Sequence, residues 1–153
     1  MEPRIATIGD ADELIRLAAV MFAAVGVDGP DDRWRATAGE RLAAGFAVDS
    51  VAAFVVDHPG AENRCVSAAA VSIQQRLPTP PNPDGHTAYV QWVATDADFR
   101  RRGLARAVMQ SVVAWCATRG VGSVDLHASP DGEPLYRELG FVTSRNPELR
   151  YFF

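Results

Sequence analysis

The stretch "DADFRRRGLARAVMQ", Asp96 to Gln110, carries three consecutive arginines into Gly103-Leu104-Ala105 and on into an apolar-periodic helix. A strand that ends, turns through basic residues and a glycine, and enters a helix creates an anion site. The first helical amides have no intrachain acceptor, and their dipoles point outward together. Gly103 lets another group approach the backbone with no Cβ in the way, and Ala105 keeps that approach nearly as open. The helix terminus contributes ~0.3–1 kcal/mol per charge when exposed and about 2 kcal/mol when partly buried. Arg100, Arg101 and Arg102 add Coulomb attraction, and bidentate contacts where the geometry permits. A pyrophosphate suits such a site. An arginine cluster taken alone reads more simply as a solvated loop with a glycine turn. The loop is neither a Walker loop, lacking the lysine-plus-hydroxyl ending, nor a GxGxxG dinucleotide turn.

The rest of the chain bounds what that loop can serve. The 153 residues read most simply as one domain, 1–153, and 48% apolar with 22% charged residues fits an ordinary globular protein. A net charge of −4 argues against sequence-independent nucleic-acid binding, which needs a broad basic face. Cys65 and Cys116 sit in apolar runs with no CxxC or His spacing, so they read as buried, reduced and structural, and no metal is expected. No apolar stretch approaches ~18 residues, and the opening "MEPRIATIGD" has no signal-peptide core. The expectation is a cytoplasmic protein with no membrane partner.

Outward from the loop, the pattern alternates between strands and helices. "RIATIG" (Arg4–Gly9) reads as a first strand, and Asp10 with Glu13 as a capping-box helix start. Leu14, Leu17, Ala18, Met21 and Phe22 recur at helical spacing until "GVDGPDD", and a second helix is expected from Trp34 to Phe46. "VAAFVVDH" (Val51–His58) and "CVSAAAVSI" (Cys65–Ile73) read as an antiparallel hairpin. "LPTPPNPDGH" (Leu77–His86) is an exposed loop, and "TAYVQWVAT" (Thr87–Thr95) the strand that feeds the arginines. Val108, Val112, Trp115 and Cys116 continue one helical face from Leu104 toward Gly120. Strand "SVDLHA", helix "EPLYREL", and closing strands "FVTSR" and "LRYFF" complete the order β α α β β β α β α β β.

"FRRRGLARAVM" resembles motif A of the GNAT superfamily of acyl-CoA N-acyltransferases, whose consensus is Gln/Arg-x-x-Gly-x-Gly/Ala. Arg100, Gly103 and Ala105 fill the three fixed positions. "LHASPDGEPLYRELGF" (Leu126–Phe141) resembles the later signature of the same family, a strand followed by a helix carrying LYxxLGF. The resemblance implies an α/β (α+β) fold: a mixed, mostly antiparallel central sheet of about six to seven strands flanked by about four helices. It also implies acetyl-CoA as cosubstrate. Backbone groups of Val93 and Thr95 would pair with the pantetheine amides. Arg100 and the amides of Arg101, Arg102, Gly103, Leu104 and Ala105, with Arg106, would hold the pyrophosphate. Tyr136 occupies the position of the tyrosine that protonates the departing thiolate. An aromatic packing its ring is the structural alternative for it.

Two positions depart from the family pattern. Ser129 stands where many relatives have asparagine, and "YVQW" has Tyr89 where some relatives carry a glutamate base. The general base is therefore unassigned. His127 is a weak candidate, because a lone strand histidine is more often packed or hydrogen-bonded structurally. His86, Asp125, Glu133 and a water chain remain alternatives.

In this fold "GVDGPDDRWRA" (Gly26–Ala36), with Asp28 and Trp34, and the loop before the central strand wall the acceptor site, beside Gln91 and Trp92. Asp28, Asp31 and Asp32 would attract a cationic amine, or merely cap the flanking helices. The reading is acetyl transfer from acetyl-CoA to a primary amine, carried by a small molecule or a peptide. Its rival is an acyl-CoA-binding sensor without turnover. Dimerisation is common in the family, and "ELRYFF" is apolar enough to serve a homodimer interface or to complete the monomer's own core.

Overall fold

β-Branched and small apolar runs make the long strands, and 3.6-residue apolar spacing makes the helices, in a computed structural model that describes residues 1–153. Strand β1 (Arg4–Ile5) leads through a 3₁₀ turn at Ile8–Asp10 into α1 (Ala11–Ala24) and α2 (Arg33–Ala47). Then come β2 (Val51–Asp57), β3 (Cys65–Gln75), β4 (His86–Thr95), α3 (Leu104–Ala117), β5 (Ser123–Asp125) and α4 (Glu133–Glu138). The sheet runs β1-β2-β3-β4-β5, antiparallel throughout except for the parallel β4–β5 pair.

The sheet is covered on both faces. Ala52, Phe54 and Val56 of β2 join Val108, Met109 and Val112 of α3 in one cluster, while Ala53 and Val55 join Leu14, Leu17 and Leu42 of α1 and α2 in the other. Period-two alternation on a doubly covered strand explains why nearly all of β2 is apolar. Cys65 and Cys116 are free and buried, and burial pushes both thiols up to about 11. No helix is long and apolar enough to cross a membrane.

The structure departs from the sequence expectations at five points. The sheet has five strands, not six or seven, because Phe141–Arg145 and Leu149–Phe153 form no ladder. Their neighbour β5 offers a pairing edge of only three residues, and Pro147 between them donates no backbone hydrogen bond. Nor does the tail complete the core: Val142, Leu149, Tyr151, Phe152 and Phe153 are all exposed.

The capping interaction also lies three residues earlier than expected. Asp10 reaches back to the Thr7 amide at 2.8 Å and binds Arg4, while Glu13 accepts from the Cys65 amide at 2.9 Å and from Arg16. Finally, β1 ends at Ile5 instead of Gly9, and His86 begins β4 instead of ending the loop before it.

Candidate functional site

The site starts with a defect in β4. Ala68 faces Ala94 and Ala70 faces Gln91, so β4 spends one residue more than β3 across this step. Trp92 absorbs the difference at φ 60°, a left-handed conformation uncommon for a large side chain. On the other side, β4 pairs with β5 only from Thr87 to Tyr89. Beyond Tyr89 and Asp125 the two strands part. The Asp96 amide donates to Val66 O at 2.8 Å, so strand alternation turns Ala94 toward β3 and the backbone groups of Val93 and Thr95 toward the gap. Ser67 Oγ, fully buried, holds the Ala94 carbonyl at 3.1 Å and the Thr95 hydroxyl at 2.9 Å from behind.

The gap opens toward the arginine loop. A 3₁₀ turn at Ala97–Phe99 precedes Arg101 at φ 62° and Gly103 at φ 79°, the residue that starts α3. This winding leaves the amides of Arg101 through Arg106 without any backbone or side-chain acceptor, six in succession. A Cβ on Gly103 would meet nothing within 4 Å, so the backbone there is open to an incoming group. Alternating left- and right-handed residues at a helix N-terminus form a concave nest of N–H groups suited to an anion. The side chains are more committed than the amides. Arg100 Nε donates to Thr95 O at 3.2 Å, Arg102 donates to Asp98 O at 2.8 Å over the Phe99 ring, and Arg106 pairs with Glu138. Arg101 alone of the three consecutive arginines makes no hydrogen bond.

At the closed end of the gap lies a cavity of about 760 Å³, lined by Tyr89, Leu126, His127, Tyr136, Phe141 and the tail around Glu148. Tyr136 is half-buried on α4, packed edge-on to Phe141 with ring centroids 6.0 Å apart, and its hydroxyl has no hydrogen-bond partner. Burial raises its pKa above the ordinary phenol value, so the proton is retained at neutral pH. Ser129 is exposed and builds the turn into α4: its Oγ accepts from the Gly132 amide at 3.2 Å. His127 places Nδ1 2.5 Å from the Tyr89 hydroxyl and Nε2 3.1 Å from Glu148.

The acceptor-side residues form a separate cluster. Trp34 stands edge-on between Phe22 (5.4 Å) and Trp92 (6.4 Å), so the bulge residue is braced by α1 and α2. Asp31 binds the Arg33 amide at 2.9 Å and its Nε at 2.8 Å, and Asp32 lies 3.6 Å from Arg35. These two aspartates serve the start of α2, whereas Asp28 and Gln91 are exposed with no hydrogen-bonded partner. The split strands and the nest thus meet Tyr136 and His127 through the gap, while Asp28, Trp34 and Trp92 stand on the α1–α2 face. Sequence reasoning missed Glu148, which sits in an aperiodic tail, and saw in Tyr89 only a missing carboxylate.

Comparison with known proteins identifies this architecture. Over 97% of its length the chain superposes on 95% of a predicted acetyltransferase from Clostridium acetobutylicum, solved with acetyl-CoA (TM-score 0.85, 21% identity). A GCN5-related N-acetyltransferase from Ralstonia eutropha matches 98% of this chain with 97% of its own (TM-score 0.82, 26% identity). Glucosamine-6-phosphate N-acetyltransferase from Arabidopsis thaliana matches 99% with 98% (TM-score 0.75, 17% identity). No curated protein matches the sequence. The fold is one that solved acetyltransferases share. The profile of the Acetyltransferase (GNAT) family matches residues 22–141, and the chain belongs to that family.

Proposed function

We propose that the protein is an N-acetyltransferase that moves the acetyl group of acetyl-CoA to a primary amine by direct attack. The observation that carries this reading is the row of six unpaired amides, Arg101 to Arg106, at the mouth of the split between β4 and β5. Those amides, with the uncommitted Arg101 guanidinium, would hold the pyrophosphate. The Val93 backbone groups and the Thr95 amide face the gap as an edge strand does, ready to pair with an extended arm bearing amides. Arg100 clasps the Thr95 carbonyl, so it serves this reading by shaping the gap and adding positive charge. Ser129 and Leu104 serve by building the turn into α4 and seating the start of α3.

Acetyl-CoA supplies a thioester whose carbonyl carbon the amine attacks and whose sulfur leaves as thiolate. Tyr136 is the residue positioned to donate a proton to that sulfur. Its hydroxyl is unpaired, lines the cavity at the closed end of the gap, and is kept protonated by burial. The amine would enter from the face bearing Asp28, Gln91, Trp34 and Trp92, with Asp28 the carboxylate left to attract it. The exposed apolar tail, Leu149 to Phe153, supports a homodimer as part of the same reading, and sedimentation velocity checks it.

The direct test is free-thiol release from acetyl-CoA with a panel of alkylamines, sugar amines, amino acids and peptides. Acetylation of at least one class, lost in Tyr136→Phe, is the expected result. Tight acetyl-CoA binding with no turnover on any amine would make the domain a sensor.

A further inference from the structure

An amine arrives at neutral pH largely as an ammonium ion, and the strand "YVQW" supplies no carboxylate to deprotonate it. The structure places something else there. Tyr89 sits at the last rung of β4–β5 pairing, opposite Asp125, where the two strands part. Its hydroxyl lies 2.5 Å from His127 Nδ1, and His127 Nε2 lies 3.1 Å from Glu148 Oε2. Glu148 is itself held by Arg150 Nη2 at 3.2 Å. A carboxylate can only accept, so Glu148 takes the Nε2–H. That leaves the bare lone pair of Nδ1 to receive the Tyr89 O–H. The phenol oxygen then keeps its own lone pairs free. Tyr89, His127, Glu148 and Tyr136 all line the same cavity.

We infer that Tyr89, His127 and Glu148 form the proton-accepting relay for the incoming amine, opposite Tyr136 as proton donor. This rests on the acetyl-transfer reading and supplies the base which that reading lacks. The steps balance. The ammonium N–H passes its proton to Tyr89 Oη as the Tyr89 O–H proton passes to His127 Nδ1. Glu148 stabilises the resulting imidazolium, and the freed nitrogen lone pair forms the C–N bond. The C–S bond breaks as Tyr136 protonates the sulfur. The second N–H proton, made acidic by C–N bond formation, returns through solvent to the Tyr136 oxygen, leaving the neutral amide. His127 is half exposed and returns its proton to water. Tyr89 is a conduit, not the final base, because burial first and then the Glu148 charge raise its pKa and disfavour a standing phenolate. The order of groups is that of the nucleophile–histidine–carboxylate triad, with the phenol carrying a proton in place of making a bond.

Other charged groups face the histidine across the cavity: Arg76 after β3, Asp125 on β5, Glu133 and Arg137 on α4, and Arg150 in the tail. Glu133 and Arg137 neutralise each other at 2.9 Å. Docking the tail alone would also explain the His127–Glu148 contact, so the test must separate proton transfer from folding.

The test compares wild type with Tyr89→Phe, His127→Gln and Glu148→Gln. Each is given acetyl-CoA with the best alkylamine of the acceptor panel, and then with hydroxylamine, which is already neutral at pH 7. Acetyl-CoA binding is followed in parallel by calorimetry. With the alkylamine, Tyr89→Phe and His127→Gln lose about a hundredfold or more of kcat, and Glu148→Gln loses less. With hydroxylamine the loss largely disappears, and acetyl-CoA affinity is unchanged. Equal losses on both amines, no loss on the alkylamine, or acetyl-CoA binding without turnover of either amine each overturns the relay. A wild type that fails to bind acetyl-CoA overturns the transfer reading itself.

Discussion

At the scale of single residues, conformation and chemistry separate cleanly at Gly103 and Tyr136. Gly103 sits at φ 79° with open space where a Cβ would go, so Gly103→Ala has no steric clash to add to the backbone cost. It should lower unfolding stability by about 1–2 kcal/mol, read from the urea midpoint. Tyr136 is the opposite case. Its ring is packed against Phe141 and close to Gly132, but its hydroxyl has no partner to lose. Tyr136→Phe should therefore leave stability within about 0.5 kcal/mol of wild type. On the proposed mechanism it lowers kcat about a hundredfold or more, with acetyl-CoA affinity kept. A large fall in affinity would return Tyr136 to a packing role.

At the scale of elements, the loop is positioned by α1. Arg16 donates to Asp96 at 2.9 Å, to the Cys65 carbonyl at 2.7 Å, and to Glu13 at 2.9 Å, tying α1 to the start of β3 and the residue after β4. Asp96 and Glu13 are only 15% and 20% exposed, so Arg16→Gln leaves two largely shielded carboxylates without their hydrogen-bonded cation, with Arg64 3.7 Å from Asp96 remaining nearby. A loss of about 1–3 kcal/mol is expected by chemical denaturation, together with weaker acetyl-CoA binding because Asp96 opens the loop.

None of these long-range bonds is visible in local sequence, which is why Glu13 reads as a capping residue until the fold brings it to Cys65. The same limit explains Glu148, whose partner His127 is far away in sequence. The legible parts are those with local causes. The runs at Val51, Cys65 and Thr87 announce strands by composition, and Leu104 to Cys116 announces a helix by period. Gly103 after three arginines announces the nest. The bulge at Trp92 has no local signal, since Gln91-Trp92-Val93 reads as uninterrupted strand. The tail segments "FVTSR" and "LRYFF" show strand composition, but composition cannot supply the partner edge that β5 is too short to provide.

At the scale of the whole molecule, acid stability follows from the network that ties β1 to α1 and β2. Arg4 donates to Asp10 and to Asp57, and these hydrogen bonds hold Asp10 down to about 2 and Asp57 below its ordinary value. Burial opposes ionisation of Glu13, but hydrogen bonds from Arg16 and the Cys65 amide outweigh it and lower its pKa too. Folded values below unfolded ones mean that this stability is fully present above the ordinary carboxylate range near ~4. It is lost as pH falls through that range toward about 2. Thermal midpoints of wild type should fall steeply across this window, and those of Arg4→Gln should fall less from a lower start.

On the proposed function, the six free amides at the head of α3 receive the pyrophosphate of coenzyme A. Isothermal titration of acetyl-CoA and of free CoA into wild type and Gly103→Glu tests it most directly. The glutamate places a side chain and a negative charge where the backbone is now open, and circular dichroism verifies that the variant is folded. Wild type should bind both ligands, and Gly103→Glu should bind either at least about tenfold more weakly, a difference of about 1.4 kcal/mol. Wild type binding neither ligand, or a folded Gly103→Glu binding both as tightly as wild type, would contradict it.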